Sequence, residues 1–147
     1  MRIIVALYAL FALSSFHSPA AAKEADRTGT FTESCLPTVN CSATITKTGK
    51  GKWKMVWVAM DRTGTRTYCQ HTVLLKPGTG FTASDPAIPD VLVGKLKDGS
   101  RLMVDSAAGD GTAYLYLDGM PCEGVKLPAG EKGMIGFNGI YNLEGDY

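Results

Sequence analysis

The segment Lys52–Ala59, with the sequence KWKMVWVA, carries the clearest strand pattern of this chain. Its odd-numbered positions are all apolar, namely Trp53, Met55, Trp57 and Ala59. The even-numbered positions begin with two lysines and end with two valines. Because successive side chains of a strand point to opposite faces, this period of two predicts a β-strand with one buried face. We therefore expect Trp53 and Trp57 to lie in the core of a β-sheet.

Similar alternation continues on both sides of this segment. We predict further strands at Gly29–Thr32, Thr38–Thr48, Thr65–Leu75, Val91–Leu96, Arg101–Asp105, Thr112–Asp118, Cys122–Leu127 and Met134–Tyr141. Turn signals rich in Gly, Asp, Asn and Pro separate them, including Lys76-Pro77-Gly78 and Asn138-Gly139. About eight to nine short strands and no helical period indicate an all-β fold. The architecture we expect is a single small antiparallel β-sandwich or β-barrel, stabilised by disulfides.

The first 22 residues have the composition of an export signal. Met1-Arg2 is positive, residues 3–13 are apolar, and Ala20-Ala21-Ala22 fits the small-residue cleavage rule. Eleven apolar residues span about 16 Å as a helix, which is half of a bilayer core. We expect a cleaved bacterial signal peptide at 1–22 and a single all-β domain at 23–147. The domain is expected in the periplasm or secreted, with no membrane span after cleavage.

Four cysteines follow the expected cleavage position, at 35, 41, 69 and 122. In a small exported domain, an even number of cysteines indicates a disulfide framework. The predicted hairpins place Cys41 and Cys69 two strands apart, about 10 Å, which is too far for a disulfide. Of the three possible pairings this excludes one, and the five residues between Cys35 and Cys41 are few enough for these two to close a local loop. We therefore predict the pairs Cys35–Cys41 and Cys69–Cys122 over the remaining pairing. With no Cys-x-x-Cys pair in the sequence, we expect no metal site and no cofactor.

The sequence lacks the common catalytic motifs. It contains no Gly-x-Ser-x-Gly elbow, no His-Glu-x-x-His pair and no phosphate-binding loop. His71 is the one histidine after the cleavage position, and we interpret it as a residue of a strand surface rather than a general base. The remaining candidates for acid–base catalysis are paired carboxylates, such as Asp105 with Asp118. We therefore expect a non-enzymatic protein that binds another protein.

The stretch Ser106–Tyr114, SAAGDGTAY, suggests which kind of partner this is. It resembles the Ser-Gly-x-x-Tyr loop of bacterial periplasmic lysozyme inhibitors, which are small exported all-β proteins. In that family the loop enters the lysozyme cleft, so the resemblance implies inhibition of a cell-wall hydrolase. The binding residues it implies are Ser106, Asp110, Gly111, Thr112 and Tyr114. Gly111 and Tyr114 match the motif, but Asp110 stands in place of its serine, and a carboxylate is repelled by catalytic carboxylates.

The charge distribution suggests a second class of function. Residues 23–76 carry nine basic and four acidic side chains, and residues 77–147 carry five and ten, giving +5 and −5. The balanced total argues against nucleic-acid binding, which needs a large positive field. A polar molecule of this kind fits a secreted host-contact or virulence-associated protein. However, we expect strands from the two halves to interleave and cancel the field.

Two further groups of residues are candidates for ligand binding. Four lysines surround the glycine turn at 48–51, namely Lys47, Lys50, Lys52 and Lys54. We interpret this basic knob as a solubilising hairpin tip rather than a site for an acidic partner or an anionic glycan. The other alternative is a small barrel that carries an apolar ligand against four aromatic side chains, Trp53, Trp57, Tyr114 and Tyr116.

Overall fold

A computed structural model describes residues 27–106 and 111–144, which form eight strands. The strands, in chain order, are β1 Gly29–Leu36, β2 Val39–Gly49, β3 Lys52–Asp61, β4 Thr67–Gly80, β5 Ile88–Lys95, β6 Arg101–Asp105, β7 Thr112–Leu117 and β8 Gly139–Leu143. Within the described ranges, no helix is long and apolar enough to cross a bilayer.

The strands form a closed antiparallel barrel in which each strand pairs with its neighbours in the chain. β8 pairs with β1 and closes the sheet, with Phe31 opposite Leu143. Closure leaves no free sheet edge among these strands, which removes the main route to edge-to-edge aggregation. The all-β prediction is confirmed, and of the two predicted architectures the barrel is the correct one.

Alternate side chains of the strands fill the interior of the barrel. On β3, all four apolar residues at odd positions are buried, as the sequence predicts. The largest fully buried side chains include Trp57, Tyr141, Phe137, Ile45 and Met55. Interiors of eight-stranded barrels are just wide enough to be filled in this way. The axis of the barrel is therefore a packed core.

The segment 118–138 closes one end of the barrel, where sequence patterns predict two strands. Residues 122–127 and 134–138 form turns and irregular chain, so the predicted strands 122–127 and 134–141 are wrong except for the last residues in β8. Cys122, Ile135 and Phe137 are buried against the core without pairing to a strand. When an irregular segment packs against the end of a barrel, its buried apolar residues give the same local sequence pattern as a half-buried strand.

A second difference concerns the predicted turn at Lys76-Pro77-Gly78, which lies inside β4. Pro77 is opposite Leu92, and a register shift follows between Gly78 and Gly80. Proline is tolerated at such irregular strand positions. β4 therefore runs on to Gly80, whose Cα lies so close to Met103 and Val91 that a side chain there would clash with both. The end of β4 thus packs over the outer face of β5 and β6.

Both predicted disulfides are confirmed. Cys35 pairs with Cys41, with their Cα atoms 5.7 Å apart, and Cys69 pairs with Cys122 at 5.9 Å. Cys41 and Cys69 are both opposite Ala59, on either side of β3, so the register argument that separated them holds. The second bridge anchors the segment 118–138 to β4. Two disulfides are typical of a protein in an oxidising, extracellular compartment.

The strand order also corrects the expectation that the two halves of the chain interleave. Because neighbours in the barrel are neighbours in the chain, strands β1–β4 form one contiguous side and β5–β8 the other. The strands of the basic first half and of the acidic second half therefore lie on different sides of the barrel. The halves still meet outside the strands, because Glu131 accepts hydrogen bonds from Thr38.

Candidate functional site

The β6–β7 connection carries the binding residues that the sequence implies. Ser106 is only 4% exposed, and its Oγ has no hydrogen-bond partner among the described residues. Asp110 lies outside the described residues. Gly111 has a φ of 72°, a left-handed conformation that favours glycine. Thr112 is half-buried and opposite Asn142 of β8. Of the described residues in this set, Ser106 is therefore buried.

Tyr114 is the most exposed of the described binding residues. It lies on the outer face of β7, is 37% exposed, and is opposite Ile140, which is 61% exposed. Asp105 of β6 is opposite Tyr114 on its other side. The result is an exposed aromatic–aliphatic pair beside a carboxylate, at the β7 end nearest the connection. Tyrosine in such a setting is a frequent anchor of protein interfaces.

The candidate catalytic groups are not brought into a catalytic arrangement. His71 is half-buried rather than a surface residue: its Nε2 lies 3.3 Å from Cys69 Sγ, and its ring is 5.7 Å from that of Phe137. Cys122 completes a group with the three ligand atoms within 4.8 Å of one another. Both sulfurs are committed to a disulfide, so neither offers the thiolate that binds zinc.

The suggested carboxylate pair is also separated. Asp105 ends β6, whereas Asp118 lies beside the first residue of that strand, Arg101. Asp118 Oδ2 accepts a hydrogen bond from Arg101 Nε at 2.6 Å, and the Arg101 backbone N–H donates to its other oxygen. Asp118 therefore acts as the partner of an arginine.

The four aromatic residues suggested for an apolar carrier do not line one cavity. Trp53 and Trp57 are buried inside the barrel, whereas Tyr114 and Tyr116 alternate with buried residues of β7 and face outwards. Tyr116 packs edge-on against Phe81, with ring centroids 5.5 Å apart. A ligand cannot contact both sets at once.

The outer face of β4 and β5 carries a concave apolar surface that the sequence does not reveal. Leu74, Val93 and Phe81 line it together with the inward-facing Trp53, Leu75 and Leu102, and this open concavity has a volume of about 650 Å³. Leu74 is 73% exposed, although it lies in a strand whose inward residues are fully packed. The end of β4, with Thr79, bounds one side of the groove.

Basic side chains surround this apolar surface. Lys54 is opposite Leu74, Lys76 is opposite Val93, and Lys95 is opposite Arg101. Lys52, the first residue of β3, also lines this surface. We call the surface formed by Leu74, Val93, Phe81, Lys52, Lys76, Lys95 and Arg101 the lysine-rimmed groove. The described residues that line it include four cationic side chains and no carboxylate.

The cations of the lysine-rimmed groove differ in how they are paired. Arg101 contacts Asp118 and stacks over Phe81, with Cζ 4.1 Å from the ring centroid. Lysines 52, 76 and 95 are exposed and form no ion pair within residues 27–106 and 111–144. Their positive charge is therefore available to a ligand.

A second concavity, of about 850 Å³, lies on the outer faces of β1 and β2. Hydroxyl and amide side chains such as Thr32, Ser42 and Asn142 line it. At its rim, desolvation raises the pKa of Asp61, but hydrogen bonds from Thr65 and Arg66 outweigh this effect and lower the pKa overall. The carboxylate organises the β3–β4 turn, with Thr65 N–H at 2.8 Å, so its role there is structural.

Sequence patterns place Lys52 and Lys54 at a hairpin tip but do not reveal their partners on the next strands. The groove depends on residues from β3 to β6, which only the register brings together. One local signal was present. Leu74 occupies an outward position between the inward residues Val73 and Leu75, and an apolar side chain on a polar face is a mark of an interaction surface.

Comparison with family models, curated proteins and solved structures finds no match to this chain.

Proposed function

We propose that this chain is an exported, non-enzymatic binding protein that inhibits a cell-wall hydrolase of the lysozyme type. The observation that carries the proposal is the placement of Tyr114, exposed on the rigid barrel three residues after the left-handed Gly111. A tyrosine with only two rotatable side-chain bonds, held on a disulfide-stabilised barrel, loses little entropy on binding. The neighbouring Ile140 extends the apolar contact.

The packed interior supports binding at the outer surface and the loops. Buried side chains fill the barrel axis, and the one histidine after residue 22 lies against a disulfide. The export signal and the two disulfides are consistent with a periplasmic location, where cell-wall hydrolases act.

The direct test is inhibition of purified C-, G- and I-type lysozymes by the oxidised protein. We expect inhibition of at least one type at micromolar excess. Tyr114→Ala is expected to weaken inhibition about tenfold or more, as is usual for an interface anchor. Met134→Ala is the matched control, because Met134 is also an exposed apolar residue but lies in the segment 118–138. No inhibition of any of the three would remove the proposal.

Asp110→Ser tests the loop more sharply. It restores the serine of the resembling motif and removes a negative charge that would face the catalytic carboxylates of a lysozyme. We expect tighter inhibition than by the unaltered protein. Weaker or unchanged inhibition would show that the loop does not enter the cleft.

A further inference from the structure

The lysine-rimmed groove has two chemical features that point to one class of ligand. Its walls, Leu74, Val93 and Phe81, are apolar, so they favour hydrocarbon removed from water. Its rim carries the exposed ammonium groups of Lys52, Lys76 and Lys95. A ligand that matches both features has a hydrocarbon portion for the apolar walls. It also has a negatively charged group, close enough to the hydrocarbon to contact the lysines at the rim.

We propose that the lysine-rimmed groove binds a single-chain anionic amphiphile, a molecule with one hydrocarbon chain and a carboxylate or similar anionic head. The chain lies along Leu74 and Val93, and the head contacts the lysines. The volume of about 650 Å³ falls within the usual range of small-molecule sites, roughly 300–1,000 Å³. This site is separate from Tyr114 and Ile140, so it does not depend on the proposed inhibition.

Charge complementarity decides between amphiphiles of different head group. Arg101 is already paired with Asp118, but the three lysines form no ion pair within the described part of the chain. Their strand positions bring them around one apolar surface, where like charges raise the local positive potential. An anionic head lowers this repulsion, a neutral head leaves it unchanged, and a cationic head increases it.

The shape of the groove favours a single molecule over a bilayer surface. The end of β4 packs over β5 and β6 through Gly80, and Thr79 lies beside the apolar walls. The apolar surface is therefore concave. Leu74 is exposed but Val93 is half-buried, so a flat bilayer surface contacts Leu74 and the lysines, whereas one inserted chain also reaches Val93.

The experiment is calorimetric titration of the oxidised protein with three twelve-carbon probes below their critical micelle concentrations. The probes are sodium dodecanoate, dodecyl maltoside and dodecyltrimethylammonium. We expect dodecanoate to bind at least about tenfold more tightly than the other two, because only its head is complementary to the lysines. Its affinity is expected to fall between 20 and 300 mM NaCl, as the Debye length shortens from about 20 Å to about 6 Å.

Three variants locate the binding. Leu74→Ser removes an exposed apolar contact and is expected to weaken dodecanoate binding about fivefold or more. The double variant Lys76→Glu/Lys95→Glu is expected to abolish the preference for the anionic head. Lys132→Glu is the control, because Lys132 is an exposed lysine outside the groove lining. All four substituted positions are exposed, so we expect the fold to be retained, and amide chemical-shift spectra check this.

Three outcomes would overturn the proposal. Dodecanoate binding that is absent, or unaffected by both groove variants, would show that the groove takes no amphiphile. Tighter binding of hexaglutamate than of dodecanoate would assign the groove to an acidic protein segment instead. Binding to phosphatidylglycerol vesicles without binding of monomeric dodecanoate would assign it to a membrane surface. Because lysozyme inhibition is measured separately with Tyr114→Ala, the two proposals can fail independently.

Discussion

The Trp57 indole N–H donates a hydrogen bond to the Tyr141 hydroxyl across the barrel interior, with Nε1 and the oxygen 2.9 Å apart. The same hydroxyl donates to the Phe137 carbonyl oxygen at 3.2 Å. The rings of Trp57 and Phe137 stack with their centroids 3.9 Å apart. One hydroxyl therefore links β3, β8 and the segment 118–138 that closes the barrel end. Buried, fully paired groups of this kind fix a single core arrangement.

Removal of this hydroxyl tests its contribution. Tyr141→Phe leaves a buried indole N–H and a carbonyl without their partner, so the free energy of unfolding is expected to fall by about 1–3 kcal/mol. Urea unfolding monitored by tryptophan fluorescence measures the change. Tyr114→Phe is the matched control, because the Tyr114 side chain is exposed. Equal effects of the two substitutions would contradict a special role for the interior hydroxyl.

The two disulfides are expected to stabilise the fold by different amounts. Cys69–Cys122 closes a separation of 53 residues and Cys35–Cys41 one of six. On the chain-entropy account, their loss costs about 4 kcal/mol and about 2 kcal/mol respectively. We expect Cys69→Ala/Cys122→Ala to lower the free energy of unfolding more than Cys35→Ala/Cys41→Ala does. A larger effect of the shorter bridge would contradict this entropic account.

The pairing itself has a chemical test. The oxidised protein is expected to show no free thiol with Ellman's reagent, even after denaturation. Peptide mapping is expected to recover Cys35 linked to Cys41, and Cys69 linked to Cys122. A peptide that joined Cys41 to Cys69 would contradict the register in which both are opposite Ala59.

Gly94 is expected to be irreplaceable for steric reasons. A Cβ at this position would lie 2.6 Å from the Leu74 carbonyl oxygen and 2.7 Å from Val73 Cγ1. Gly94→Ala therefore forces the β4–β5 pairing apart and is expected to cost about 1–3 kcal/mol of stability. Gly136→Ala is the control, since a Cβ there has no atom within 4 Å. Thermal unfolding compares the two, and equal midpoints would contradict the predicted clash.

The barrel could be predicted largely because its strands are regular and amphipathic. In Lys52–Ala59 every odd position is apolar and buried, and the predicted strand Arg101–Asp105 coincides with β6. The same register excludes the pair Cys41–Cys69, and the short separation of Cys35 and Cys41 favours the pairing that the structure has. The errors arose where apolar residues are buried by a non-repeating chain, as at Cys122 and Phe137. Burial there satisfies the hydrophobic pattern without a ladder of backbone hydrogen bonds.

The groove could not be predicted because its parts are distant in the sequence. Lys52 and Lys95 are separated by the whole of β4, and only the pairing of three strands places them around Leu74. Sheet closure and stagger set these neighbours, and a single sequence does not specify them residue by residue. The loop motif at Gly111 and Tyr114 was visible because it is local.

The pKa values of Glu33 and Asp61 are shifted in opposite directions. Burial raises the pKa of Glu33 above its ordinary value of 4.5, in a site where a side chain on Gly139 would clash with the carboxylate. The folded state therefore holds this proton more tightly than the unfolded state does. Its stabilising contribution is present below the unfolded pKa and is lost as the pH rises through the folded pKa.

The sign for Asp61 is the reverse. Desolvation raises its pKa, but hydrogen bonds from Arg66 and Thr65 outweigh this and hold the pKa below its ordinary value of 3.8. Its contribution to stability is present above the unfolded pKa and is lost as the pH falls through the folded pKa. The turn it organises should therefore loosen only in strong acid.

Substitution of the two carboxyls separates these effects. Glu33→Gln is expected to raise the free energy of unfolding at pH 7, because it replaces a partly desolvated charge with a neutral group, and to have little effect once Glu33 is protonated. Asp61→Asn is expected to lower the free energy of unfolding at pH 7, and the loss shrinks below about pH 3.8. Urea titrations at pH 7 and in acid measure both. A Glu33→Gln protein that is less stable than the unaltered protein at pH 7 would show that the Glu33 carboxylate is stabilised in the fold, and the argument from burial would then be wrong.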